Sequence, residues 1–188
     1  MRKHGFILVF ILIILSACDY DAPLVGEASL PIDQALLGTW EFIYKDRAEQ
    51  KPDERLVIRQ ESANLYIIEY IDRESILYFK GWLAELEGKH FMQLEVTGTD
   101  EGPVDVEDTD RFSVVSYAMD NDEILYRSLN TDLVNKDLAD TAALQVAFAA
   151  NRDDPDLFHI SGQLRKLPDA SNSLPKELEE GHEERSPE

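Results

Sequence analysis

Apolar and polar residues alternate with a period of two through most of the middle of this chain, the pattern of half-buried strands. Arg55 to Gln60, Leu65 to Ile71, Ser75 to Glu87 and His90 to Thr97 are rich in β-branched and aromatic residues and predict four consecutive strands. Glu41 to Lys45 predicts a strand before them. Arg111 to Met119, Glu123 to Leu129 and Leu157 to Lys166 predict three after them. Gly88-Lys89 marks a tight hairpin turn, and Asp120-Asn121-Asp122 marks another. Around the first turn Trp82, Ala84 and Leu86 alternate with Leu83, Glu85 and Glu87, while Met92, Leu94 and Val96 alternate with Phe91, Gln93 and Glu95. One face is therefore buried and the other wetter. Gly81, inside the long strand, predicts a bulge or a barrel corner.

Two stretches break the period. Asp33 can cap a short turn over Gln34 to Leu37. Asp140 or Thr141 can cap a helix in which Leu144 and Phe148 lie one turn apart with Ala147 beside them, and the passage to Pro155 ends it. The expectation is a mainly-β domain over residues 32–167, an antiparallel up-and-down β-barrel of about eight strands with one helix before the last strand. Residues 18–31, with Pro23, Gly26 and Pro31, read as a tether. Residues 168–188 read as a disordered acidic tail, because they lack aromatics and cannot bury enough surface to offset ordering entropy.

The start of the chain changes the picture. Arg2, Lys3 and His4 precede an uncharged apolar run from Phe6 to Leu15. Ten helical residues reach about 15 Å, half of a bilayer core of about 30 Å, so the run reads as a secretory signal rather than a span. It ends in Leu15-Ser16-Ala17-Cys18, which resembles the lipobox of bacterial lipoproteins. That resemblance implies cleavage after residue 17, a diacylglycerol on the Cys18 thiol and an acylated amine. Two or three palmitate-type chains anchor stably where one does not. The competing reading is an ordinary signal peptide followed by a free cysteine. Asp19 stands where enterobacterial lipoproteins carry an inner-membrane retention signal. The resemblance thus implies an inner-membrane protein facing the periplasm, or an outer-membrane one where the sorting rule differs. Cys18 is the sole cysteine, so no disulfide within the chain is available, and the 171 residues after the leader suffice for one ordinary domain.

Charge excludes one class of partner. The chain carries 18 basic and 38 acidic residues, a net charge of −20, and loss of Arg2 and Lys3 with the leader takes it near −22. With no basic patch to displace counterions, nucleic-acid binding is excluded. The body is repelled from anionic lipid, which leaves attachment to the anchor.

Leu37-Gly38-Thr39-Trp40 follows a capped turn and opens a meander that ends in the helix–strand passage from Asp140 to Phe158. This arrangement resembles the lipocalin or wider calycin group, and more closely the small bacterial lipoproteins with a lipocalin-like domain. The resemblance implies a barrel whose tryptophan is covered by a basic residue near the last strand's end. Arg165 is the candidate to close over Trp40 by a cation–π contact. The usual mid-barrel lipocalin motif is not evident.

Candidate chemistry is sparse. Tyr66, Ile68 and Tyr70 share one face of their strand, and Leu65, Ile67, Glu69 and Ile71 share the other. Either the inward face encloses an apolar ligand pocket, with Glu69 as polar anchor, or the core is filled and Glu69 sits at the rim or outside. His90, His159 and His182 have no metal-motif spacing. The acidic loop with Asp100, Glu101, Asp105, Glu107, Asp108 and Asp110 fails as a calcium loop: counted from Asp105, Asp110 takes the glycine position and Ser116 the bidentate glutamate position. No nucleophile has a visible base, and Ser161-Gly162 carries no supporting pattern. No cofactor and no metal are expected. The sequence therefore points to a non-enzymatic, membrane-anchored periplasmic module that serves an envelope protein complex as accessory or scaffold. The alternative is a carrier of a small, lipid-like apolar ligand in the barrel.

Overall fold

The computed structural model describes residues 20–44, 51, 53–104, 110–138 and 140–168. The leader, Cys18, Asp19, Lys45, the middle of the acidic loop and the tail from 169 onward lie outside the described residues.

The strands are β1 (Gly38–Ile43), β2 (Arg55–Gln60), β3 (Tyr66–Ile71), β4 (Ile76–Leu86), β5 (Lys89–Thr99), the two-residue β6 (Gly102–Pro103), β7 (Phe112–Asp120), β8 (Glu123–Leu129) and β9 (Phe158–Lys166). Each long strand pairs antiparallel with the next, β5 passing to β7, and β9 returns to β1. The ring is an eight-stranded antiparallel up-and-down barrel with one helix, α1 (Thr141–Ala150), before the last strand. Closure leaves no long sheet edge to pair with another chain. β6 only extends the far end of β5.

Local chemistry sets the corners. Glu87 and Gly88 have φ of 52° and 74°, the left-handed pair that a two-residue hairpin turn needs. The turn is therefore Glu87-Gly88, one residue before the predicted Gly88-Lys89. Gly81 is the last β4 residue paired with β3, opposite Tyr66, and beyond it β4 continues with β5 alone. A Cβ on Gly81 would stand 2.9 Å from Ile68 Cδ1, so glycine permits the close approach at this corner. The bulge lies instead between Tyr78 and Phe79.

Two cores form on opposite sides of the barrel wall. Inside, Trp40, Ile58, Tyr66, Ile68, Leu83 and Ile124 are buried in one cluster. A 3-10 turn (Gln34–Leu36) plugs the end where β1 begins. Asp33 caps it by accepting from Ala35 N (3.0 Å), Leu36 is buried beneath it, and the Trp40 indole donates to Leu36 O at 2.9 Å. Outside, α1 lies on the wall. Asp140 caps it through Ala143 N, and Leu144 and Phe148 pack with Phe91, Val114 and Leu129.

The first described residues correct one expectation. Positions 20–31 are not a free tether. Tyr20 pairs with Phe112 and is 2% exposed, and Leu24 is 1% exposed in the outer core. Gln93, fully buried on the outer wall, accepts from Leu24 N (2.9 Å) and Val25 N (3.3 Å) and donates to Ser113 O. Ser29 and Leu30 donate to Leu83 O along the stretch of β4 that has left β3. The absence of a sustained apolar period hid this docking, because an irregular segment is held by its backbone groups and a few anchors rather than by a repeating face.

Candidate functional site

Strand alternation brings the polar interior residues to the two ends of the barrel. At the end opposite the plug, Glu54 directly precedes β2 and continues the inward series of Leu56 and Ile58. Tyr44 continues the series of Trp40 and Phe42, and Tyr70 that of Tyr66 and Ile68. The Glu54 carboxylate, 5% exposed, accepts hydrogen bonds from the Tyr44 and Tyr70 hydroxyls. The Lys51 ammonium stands 3.8 Å away on the rim. Phe42 meets the Tyr70 ring edge to face at 5.6 Å. Several inward side chains at this mouth, Phe42, Leu56, Leu77 and Val96 among them, remain only half-buried.

The plugged end repeats the motif. The Tyr117 hydroxyl donates to Asp33 Oδ2 at 3.2 Å, and the Tyr66 hydroxyl lies between Asp33 N (2.5 Å) and Asp33 O (3.3 Å). Burial raises the pKa of four barrel tyrosines, Tyr66, Tyr70, Tyr117 and Tyr126. Tyr66 is pushed up to about 12, first by burial, with the Asp33 backbone bond opposing and its charge adding. Tyr70 is raised by burial and then by its bond to Glu54. Tyr117 is raised by burial and then by the Asp33 charge, and Tyr126 by burial and the Glu54 charge. These hydroxyls stay protonated at neutral pH, and those of Tyr66, Tyr70 and Tyr117 donate hydrogen bonds.

The residues singled out in the sequence are distributed as follows. Tyr66 and Tyr70 face inward with Ile68. Glu69 lies on the outer wall paired with Arg59, and Ile67 and Ile71 share that outward alternation while Leu65 precedes the strand. The six do not line one cavity. Trp40 is fully buried, but the cation over its ring is Lys166, with Nζ 5.2 Å from the centroid, rather than Arg165. The register explains the correction: Trp40 opposes Lys166 across β1 and β9, while Arg165 opposes Glu41. Arg165 therefore points outward, 3.0 Å from Glu123 and 3.7 Å from Glu41. Lys166 also donates to Ala35 O at 3.2 Å, tying β9 to the plug. His90 is exposed beside Glu85 at 2.9 Å, His159 is exposed, and His182 lies outside the described residues. Among the described residues no group of three or more potential ligands could hold a metal, and no helix is long and apolar enough to cross a membrane.

Space opens on the outer wall. A groove of about 930 Å³ runs between the β4–β5 hairpin and the passage from α1 to β9, lined by Lys89, His90, Arg127, His159, Ile160 and Asp156 among others. Ile160 is 63% exposed, and the lining sets Lys89 and Arg127 against Asp153, Asp154 and Asp156. Glu54 with its tyrosines and this groove are the places sequence reasoning missed. The first was within reach by extending the inward alternation one step past each strand end. The second depends on how a loop lies over distant strands. Comparison with protein-family models, curated proteins and solved structures returned no match.

Proposed function

We propose that this protein is a lipid-anchored, non-enzymatic module of the bacterial envelope that engages a protein partner through its outer wall. Leu15 to Cys18, with its lipobox resemblance, supports the anchor, and Asp19 supports an inner-membrane location facing the periplasm. The lipocalin-like reading of the domain draws support from the closed eight-stranded barrel, the N-terminal plug and the buried tryptophan beneath a basic residue. The observation that carries the functional reading is where the bulk sits. Aromatic and aliphatic side chains fill the barrel at the plugged end, and the 930 Å³ groove lies outside it. A scaffold barrel needs a rigid filled interior, whereas a carrier needs an enclosed apolar cavity.

A second reading rests on the mouth. Half-buried apolar side chains around the Tyr44–Glu54–Tyr70 cluster would suit a small ligand with an apolar body and a polar head. One experiment separates the two: purification from native membranes by a C-terminal tag, then mass spectrometry of co-purifying proteins and extracted small molecules. A stoichiometric protein without a small molecule supports the accessory module. One abundant lipid-like species that survives washing, lost on Tyr70→Ala, supports the carrier and overturns the first reading.

A further inference from the structure

We infer that α1 lies against the membrane, with the face formed by Ala142, Val146 and Ala150 in contact with lipid. The inference rests on the reading of Cys18 as the lipid anchor.

The chain leaves little slack. Tyr20 is buried and paired with Phe112, its hydroxyl donating to Val134 O at 3.0 Å. Only Asp19 lies between it and Cys18, two Cα–Cα steps along the chain. Their extended reach is at most about 7 Å. An anchored domain with so short a connection cannot swing clear of the surface, so one of its faces near Tyr20 meets lipid. α1 flanks the segment that leads there. Thr141 Oγ1 donates to Pro23 O at 2.7 Å, and Gln145 Nε2 donates to Leu24 O at 3.0 Å.

The helix has the composition of a covered element. Thr141 to Ala150 reads TAALQVAFAA, with no charged residue in a chain that is 30% charged. Leu144 and Phe148 account for the barrel-facing side. Helices that are apolar all round are buried on all sides. Here Ala142 and Ala150 are exposed, and Val146 is 71% exposed in a shallow depression of about 580 Å³ that also includes Leu138. The bordering charge, Asp140, is engaged as the helix cap. The face carries no charge of its own, and the anchor holds it at the surface against the repulsion of the acidic body. The anchor supplies the local concentration, so the contact needs only to set orientation.

The test uses the full acylated protein in vesicles, both neutral phosphatidylcholine and a mixture with anionic lipid. With Cys18 acylated, a single introduced cysteine takes the fluorophore. Val146→Cys and Ala142→Cys probe the helix, and Asn64→Cys probes the exposed turn between β2 and β3, strands that do not contribute to the outer core under α1. Nitroxide-bearing lipid is expected to quench the helix probes at least about twofold more than the Asn64 probe, as for a helix lying in the interface. Equal, weak quenching at all three sites overturns the inference, leaving the face to a protein partner or to none. Intact mass is read on the same samples: acylated Cys18 with equal quenching sinks the orientation alone, and unacylated Cys18 sinks the anchor and the orientation with it.

Discussion

On β9, strand alternation separates two neighbouring cations. Lys166 turns inward over Trp40 and ties the plug, while Arg165 stays in solvent between Glu41 and Glu123. Lys166→Ala is expected to cost about 1–2 kcal/mol through the lost cation–π contact and the bond to the plug. Arg165→Ala is expected to cost less than about 0.5 kcal/mol, as exposed ion pairs do. Urea unfolding of the two variants checks the order, and a larger loss for Arg165→Ala would contradict the register. Glu54→Ala removes the acceptor of the Tyr70 hydroxyl and one partner of Tyr44 at a nearly buried site and is expected to cost about 1–3 kcal/mol, with Glu54→Gln in between because its amide oxygen still accepts. A Glu54→Ala midpoint equal to wild type would show that solvent already satisfies Tyr44 and Tyr70. The tryptophan was legible from Gly38-Thr39-Trp40. Its cation was misplaced by one residue, because a one-residue error in register moves a side chain to the opposite face.

At the scale of elements, the periodic segments were legible and the irregular ones were not. Eight strands and one helix follow from alternation, β-branched content and the Asp140 cap, with boundaries within a few residues of those observed. The glycine turn shifted by one, because it is Glu87 that adopts the left-handed conformation beside Gly88. The segment from Tyr20 to Leu30 was read as a tether, since its anchors, Tyr20 and Leu24, meet partners dozens of residues away on β5, β7 and α1. Leu24→Ala discriminates the two descriptions: a docked Leu24 implies a loss of about 2–4 kcal/mol, whereas a free tether implies none. Thermal or urea unfolding of that variant reads the difference directly.

Considered as a whole, the molecule is an acidic barrel whose carboxylates hold tyrosines at both ends. Tyr66, Tyr70 and Tyr117 bind their protons more tightly folded than unfolded. Their contribution is complete below the unfolded value of 10.0 and is lost as pH rises through the folded value, about 12 for Tyr66. We expect the unfolding midpoint to fall between about pH 10 and pH 12, with Tyr66→Phe making that fall shallower. A midpoint as flat there as at neutral pH would mean that the hydroxyls ionise without opposing the fold.

The most direct test of the proposed role is native mass spectrometry of the intact protein released from its own membranes in mild detergent. We expect a chain beginning at Cys18, heavier by two or three acyl groups, bound to a protein partner and carrying no further small molecule. A chain with a free Cys18 thiol, or an acylated one holding a tightly bound lipid-like species in place of a protein, would contradict it.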